Sequence, residues 1–263
     1  MIPVSVVRVL IREYGLSLVF VLVTLGIWEL LVNAWDVADY ILPAPSRILG
    51  KLVSARYTLL SHAWVTLQEA LWGFLLGAGT GVAGAIVMAR SPIIERMLYP
   101  IVISSQTFPK EALAPLFIVW FGLGLFPKVI IAALISFFPV IINTTRGLLA
   151  VDPLILDLMR ALSAGRRQIL IKVRLPHAIP YLFAALKICI TLSVIGAVVG
   201  EFVGASAGLG HLTRLANSEL ATDLMFAALI VLGAMGTLLF LIVEGLEKLL
   251  LKRWGDFHEP LRR

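Results

Sequence analysis

DPLILDLMRALSAGRRQILIKVRLP, residues 152–176, decides the fold. Long apolar runs flank it, yet it carries Asp152, Asp157, Arg160, Arg166, Arg167, Lys172 and Arg174. Charge of that density is not tolerated in a bilayer core. The stretch reads as a water-facing excursion of a membrane-embedded chain, and its basic excess sets it on the cytoplasmic side by the positive-inside rule.

Inside the excursion Asp152 suits an N-cap and Pro153 a first helical residue. Leu154, Ile155, Leu158, Met159 and Leu162 form one apolar stripe at helical spacing. Asp157 and Arg160 stand three apart and can pair. Ser163-Ala164-Gly165 breaks the helix, and Leu175-Pro176 with Pro180 returns the chain to the membrane. Two readings of the stripe stay open: it docks a protein partner, or it lies flat on the headgroups with its arginines on anionic lipid.

The rest of the chain supports a membrane setting. Hydrophobic residues make up 60% and charged residues 14%, with a mean hydropathy of +0.98. Soluble domains run about 45–50% apolar and about 25% charged. At 263 residues the chain accommodates six spans, expected at 14–34, 63–89, 98–121, 127–149, 181–200 and 223–251. The basic run before the first span resembles the start of a signal peptide, but the apolar run is span-length without a small-residue cleavage pattern, so a retained helix is expected. Residues 1–13 read as a cytoplasmic lead, 14–251 as a single transmembrane domain with its excursion helix at about 152–165, and 252–263 as a cytoplasmic tail. Fifteen Lys and Arg fall on the proposed inside and five on the outside, which puts both termini in the cytoplasm.

Gly73, Gly77, Gly81 and Ala85 recur every fourth residue in the second span and give it a small-residue face for close helix approach. The same run holds Gly79-x-Gly81-x-x-Gly84, a match to the dinucleotide fingerprint. That reading fails because no strand precedes it and it lies within a span. Ser46, after Pro43 and Pro45, is expected to cap a short surface helix. Cys189, the one cysteine, excludes an intrachain disulfide and reads as a packing residue. The four histidines are scattered, no metal-ligand cluster shows, and no cofactor is expected.

The third span carries Gln106, Pro109, Lys110, Glu111 and Pro115 near its middle. Irregular backbone at membrane depth needs protein or a watery cavity beside it. Lys110 and Glu111 are therefore candidates for a solute path, with Ser105 and Gln106 on hand; the alternative is that the two charges neutralise each other or a neighbouring helix and only shape the kink. Glu69 in the second span is open to a solute contact or a buried hydrogen bond. Glu201, at the outer end of the fifth, is open to a path role or to a contact with a second copy or a partner. A cationic Lys110 suits a small anion.

Residues 152–176 also resemble the EAA loop of ABC-importer permeases. Aligned on Leu175-Pro176, Ser163 falls on the motif's glycine, and Asp157, Leu158 and Met159 fall on Glu-Ala-Ala. LPAPSRIL at 42–49, PKEALAPLFIVWFGLG at 109–124, FFPVIINTTRGL at 137–148 and GEFVGASAGLGHL at 200–212 resemble the nitrate/sulfonate/taurine group of these permeases. The resemblance implies an all-α membrane protein with six transmembrane helices, of the type I importer fold with a cytoplasmic coupling helix, in the bacterial inner membrane. It implies that Asp157, Leu158, Met159, Arg160, Leu162, Ser163, Ala164 and Gly165 couple to a separate cytoplasmic ATPase dimer. A second permease copy and a periplasmic or lipid-anchored solute-binding protein would complete the assembly. The solute implied is a nitrate-, sulfonate- or taurine-like anion or a small heterocycle. No G-x-x-x-x-G-K-[ST] loop is present, so ATP chemistry is expected elsewhere and this chain is not expected to be an enzyme. A self-sufficient secondary transporter or channel is the alternative; it predicts inverted repeats, and none is clear.

Overall fold

The computed structural model describes residues 4–254, with side chains described for 15–251. The residues described are helical, with turns between. The chain divides into two compact units: Met1–Leu60 with Leu212–Ile230, and Ser61–His211 with Val231–Arg263.

Helix α1 spans Val4–Ala34, α2 Pro45–Ser54 and α3 Arg56–Arg90. The backbone of the expected lead is thus helical from Val4; its side chains, and those of the tail from 252, lie outside the described residues. The expected cap at Ser46 is corrected. Ala44 holds the N-cap position of α2 and Pro45 opens the helix. The Ser46 N–H and hydroxyl both donate to the Glu29 carboxylate, at 3.0 and 2.7 Å. A carboxylate on α1 replaces the serine because a charged acceptor at a helix N-terminus binds more strongly than a hydroxyl. In the same unit the hydroxyl of Thr222 donates to the Tyr40 carbonyl at 2.6 Å, and Lys51 pairs with Asp223 at 3.0 Å.

The second unit is organised on α6, Leu125–Leu149, whose side chains are buried along most of its length. Lipid tails are as apolar as leucine, so helices there gain little from hydrophobicity and must gain from close contact. Helix α3 supplies the expected small face. A Cβ on Gly77 would stand 2.5 Å from the Ala133 carbonyl oxygen, and one on Gly81 2.9 Å from Val140 Cβ. Gly73 abuts Ala132 in the same way, and Ala85 is fully buried. Helix α9, Leu175–Gly204, closes on the other side of α6. A Cβ on Gly196 would lie 2.7 Å from Ala132 Cα, and one on Gly147 of α6 2.7 Å from Tyr181 Cβ. Gly79 has open space around it while Gly81 and Gly84 pack on α6, so the apparent nucleotide fingerprint is divided between packed and open positions.

Among the described residues five helices are long and apolar enough to cross a membrane: Gly15–Ala34, Arg56–Arg90, Leu125–Leu149, Arg166–Gly204 and Thr222–Leu251. The expected third span is broken. It consists of α4 (Pro92–Ser104), 3-10 turns at Ser105–Thr107 and Lys110–Leu113, and α5 (Ala114–Phe121). Pro109 removes a backbone donor and, with its predecessor Phe108 forced extended, ends the helical run. The excursion folds as α7, Pro153–Ala161, and α8, Arg166–Ile169, followed by a π-helical turn, Leu170–Arg174. The loop expected at 201–222 contains a further helix, α10, Leu209–Ser218, and the last described element is α11, Thr222–Trp254.

The α3–α6 contact gives a paired expectation. Gly77→Leu should lower the thermal stability of the detergent-solubilised protein, at the upper end of the about 1–3 kcal/mol typical of overpacking, because the obstacle is backbone. Gly79→Leu, two residues on and facing open space, should leave the melting temperature nearly unchanged.

Candidate functional site

The excursion helix has the ends its sequence calls for. The Asp152 carboxylate accepts the Leu154 N–H at 2.8 Å, and Arg160 pairs with Asp157 at 2.8 Å. Leu154, Ile155, Leu158 and Leu162 are exposed, at 75, 46, 60 and 70%. Four large apolar side chains on α7 and its C-cap are thus left uncovered by the chain itself, a face open to a partner or to lipid.

The C-terminus of α7 is a complete Schellman cap. Ser163 N–H donates to the Arg160 carbonyl and Ala164 N–H to the Met159 carbonyl, both at 2.9 Å. Ser163 has φ +58, the left-handed region where glycine is usual at this position. Ser163 is the residue that the EAA alignment set on the motif's glycine. Gly165, exposed, then donates its N–H to Gln168 Oε1 at 2.9 Å and starts α8. Beyond the π-helical turn, Arg174 Nη1 donates to the Ala89 carbonyl of α3 at 2.7 Å, and His177 Nδ1 donates to the Gly147 carbonyl of α6 at 3.1 Å.

The broken segment borders a pocket of about 750 Å³. Ser105 and Lys110 line it, with Ser104, Phe108 and Phe138; Gln106 and Glu111 do not. Lys110 Nζ sits 4.5 Å from the centre of the Phe138 ring. Among the described residues no carboxylate pairs with Lys110, so the expected alternative of mutual neutralisation with Glu111 is not the arrangement present. Ser105 spends its hydroxyl proton on the Ile101 carbonyl at 2.7 Å.

Glu69 and Glu201 lie elsewhere, fully buried. Of the two readings open for Glu69, the buried bond is present: Lys128 Nζ is 2.7 Å from its Oε1. Lys128, one of the five cations that the charge count sets on the outside, is 5% exposed, on the first turns of α6. Glu201 accepts the Thr66 hydroxyl at 2.6 Å, the His211 N–H at 3.2 Å and the Gly210 N–H. The Leu209 N–H donates to Thr66 Oγ1 at 2.8 Å, and the Gly208 N–H to His62 Nδ1 at 3.0 Å. The free N–H groups at the start of α10 are thus met by a buried carboxylate and a hydroxyl. Gly208, at φ +114, leaves space that a Cβ would take from Glu201 itself. The GASAGLGHL run is a glycine cradle built around one carboxylate. Sequence reasoning missed Thr66, His62, Lys128 and Phe138. Only the two glycines flanking Leu209 signalled that something approached the backbone closely.

The geometry is that of a helical membrane protein with a buried three-helix core, a broken segment bearing a pocket, and an exposed helix projecting from the core. Residues 73–256 match the family described as the binding-protein-dependent transport system inner membrane component. The chain belongs to that family. It is similar to a probable ABC transporter permease protein of Haemophilus influenzae, 38% identical over 87% of this chain and 94% of the relative. It is also similar to the formylaminopyrimidine transport permease protein of Halalkalibacterium halodurans, 33% identical over 88% of this chain and 93% of the relative. A third relative, the putative aliphatic sulfonates transport permease protein of Bacillus subtilis, is 33% identical over 94% of this chain and 91% of its own. In fold it resembles the inward-facing MetNI methionine ABC transporter, with a TM-score of 0.66 at 20% identity, covering 74% of this chain and 97% of that one. The protein is a permease of the ABC importer class, embedded in the inner membrane.

The Glu69–Lys128 pair in this permease yields a stability prediction. Lys128→Met alone strands a buried carboxylate and should cost about 3–5 kcal/mol, whereas Lys128→Met with Glu69→Leu should recover most of it. Thermal unfolding in detergent of the two variants distinguishes the outcomes.

Proposed function

We propose that this permease moves a small solute through a path bordered by the broken α4–α5 segment, driven by a separate ATPase that grips α7. The segment crosses the membrane as a sixth, interrupted span. Both termini and the α7–α8 excursion face the cytoplasm, in keeping with the excess of Lys and Arg on that side. The observation that carries the reading is the exposed stripe Leu154, Ile155, Leu158 and Leu162 on a helix capped firmly at both ends. A rigid helix with one unfilled apolar face can transmit force from a partner; a frayed one would absorb it.

ATP hydrolysis belongs to the partner, two permease copies line one path, and a binding protein delivers the solute from the outer side. Closure of the ATPase dimer would swing the two handles as rigid bodies and change which side of the path is open. Asp157, Met159, Arg160, Ala164 and Gly165 frame the stripe, and Ser163 sets the turn that follows it. The solute is an organic anion or small heterocycle. Relatives named for sulfonates and for formylaminopyrimidine support that range. So does Lys110, a cation without a counter-ion, over an aromatic face at the pocket wall. Ser105 borders the same pocket; Gln106 and Glu111 are exposed on the same segment but do not line the pocket. Glu69 and Glu201 serve the path by holding α3 to α6 and α10 to the core. Family membership disfavours a self-sufficient transporter.

Leu158→Glu or Asp157→Arg should release the co-purifying ATPase at least tenfold while membrane insertion stays intact; full retention in both variants overturns the docking. Lys110→Met should leave the ATPase bound and cut solute uptake at least tenfold in proteoliposomes carrying the complete importer. Uptake equal to the parent's would remove Lys110 from the path.

A further inference from the structure

One apolar cluster touches both the handle's return segment and the helix that borders the pocket. Its buried members include Met88 and Ala89 at the end of α3, Ile141 and Leu148 of α6, and Ala178 of α9. Leu170 and Leu175, which bring the chain back from α8, pack on it. So do Ile94, Tyr99 and Val102, from α4 and its last turn. Arg174 and His177 pin the return segment to the ends of α3 and α6 by their bonds to the Ala89 and Gly147 carbonyls. The residue next to Gly147 completes the chain of contacts: Arg146 Nε donates to the Tyr99 hydroxyl at 3.0 Å.

Helix α4 has no fully buried residue. Its hold on the rest of the unit therefore depends on a few half-buried side chains and on this one hydrogen bond. The residues just after Tyr99, namely Pro100, Ile101 and Ser104, line the pocket. Five residues of helix separate Tyr99 from Ser104, about 7.5 Å at 1.5 Å per residue. Tyr99 and the pocket-wall residues belong to the same helix, which runs on through Pro100.

We propose that the Arg146–Tyr99 hydrogen bond is the link through which movement of the α7–α8 handle reaches α4 and reshapes the pocket, with Tyr99 as a positioning residue. The inference rests on the docking reading of α7 given above. The handle moves with the ends of α3 and α6 because Arg174 bonds the Ala89 carbonyl, His177 bonds the Gly147 carbonyl, and Leu170 and Leu175 pack on the shared cluster. Helix α4 follows because Tyr99 is bonded to the same end of α6. Without the hydroxyl, the apolar contact remains but its direction is no longer fixed, since a ring on a greasy cluster can slide where a hydrogen bond cannot. A pathway of this kind has to be shown by coupling between sites and not by proximity.

The test uses the permease co-purified with its ATPase, in nanodiscs, with a nitroxide on Ser104→Cys. Cys189 is fully buried and remains unlabelled. The Ser104 spectrum is recorded without nucleotide and with ATP plus vanadate, and ATPase retention and ATP hydrolysis are measured on the same sample. In the parent, ATP plus vanadate should change the Ser104 signal. Tyr99→Phe should reduce that change at least twofold while ATPase retention and hydrolysis stay within twofold of the parent. Arg146→Gln should reproduce the effect, and the double variant should add nothing, as expected for two partners of one bond. An unaltered Ser104 response in Tyr99→Phe, or additive losses in the double variant, overturns the link alone. Absence of a retained ATPase in the parent overturns the docking reading and the link with it.

Discussion

Ala132, in the first half of α6, is held between two glycines: Gly73 of α3 on one side and Gly196 of α9 on the other. Everything in the larger unit follows from that approach of three backbones. Lipid offers no hydrophobic reward for burying one apolar helix against two others, so the gain must come from van der Waals contact and interhelical hydrogen bonds. Both are strongest when no side chain intervenes. The glycines of α3 at every fourth position keep the contact continuous from Gly73 to Gly81, and Gly147 and Gly200 extend the α6–α9 contact toward both ends. Ser136 and Cys189 then exchange hydrogen bonds with each other's carbonyls across α6 and α9, at 3.2 and 3.0 Å.

That close packing divides the labour within the unit. α3, α6 and α9 form a block with little freedom to deform, because tightly packed interiors resist small displacements. The elements attached to its rim are different. Helix α7 is exposed, α4 buries no residue completely, and the segment from Ser105 to Leu113 is built of short 3-10 turns. A rigid frame with loosely held parts at its edge is suited to transmitting a movement, since the frame passes force on and the edges take up the change of shape.

The sequence made the excursion legible because its determinants are local. Asp152 caps the residue two positions on, Asp157 pairs with Arg160, and the break at Ser163 falls where the left-handed turn occurs. The small face of α3 was equally legible, since periodicity along one helix reports its burial. The irregular third segment was recognised from its prolines and charges, but not its division into two short helices around a pocket. What stayed hidden depends on partners far along the chain. Lys128 counted as one more outside cation because nothing near it in sequence announces Glu69, 59 positions earlier. Ser46 had the right chemistry for a cap, but a carboxylate from α1 took the site. Helix α10 was invisible inside a glycine-rich stretch, because its start is stabilised by Glu201 and Thr66 and not by a residue of its own.

The charged groups within the larger unit sharpen the case for where a solute is met. Glu69 has Lys128; Glu201 has Thr66 and the backbone at the start of α10; Lys187 has Glu247 at 2.7 Å between α9 and α11. Each of these groups already has at least one partner, although the buried Glu69 Oε2 has none among the described residues, so a solute reaching it would compete with an existing bond. Lys110 is in a different position. Its ammonium rests on the face of Phe138, a weaker companion than a carboxylate, and opens on a cavity lined by hydroxyls and rings. An anion entering there gains an ion pair and breaks none. The same fold that neutralises its internal charges to hold three helices together leaves this one unanswered beside the segment least tied to the core.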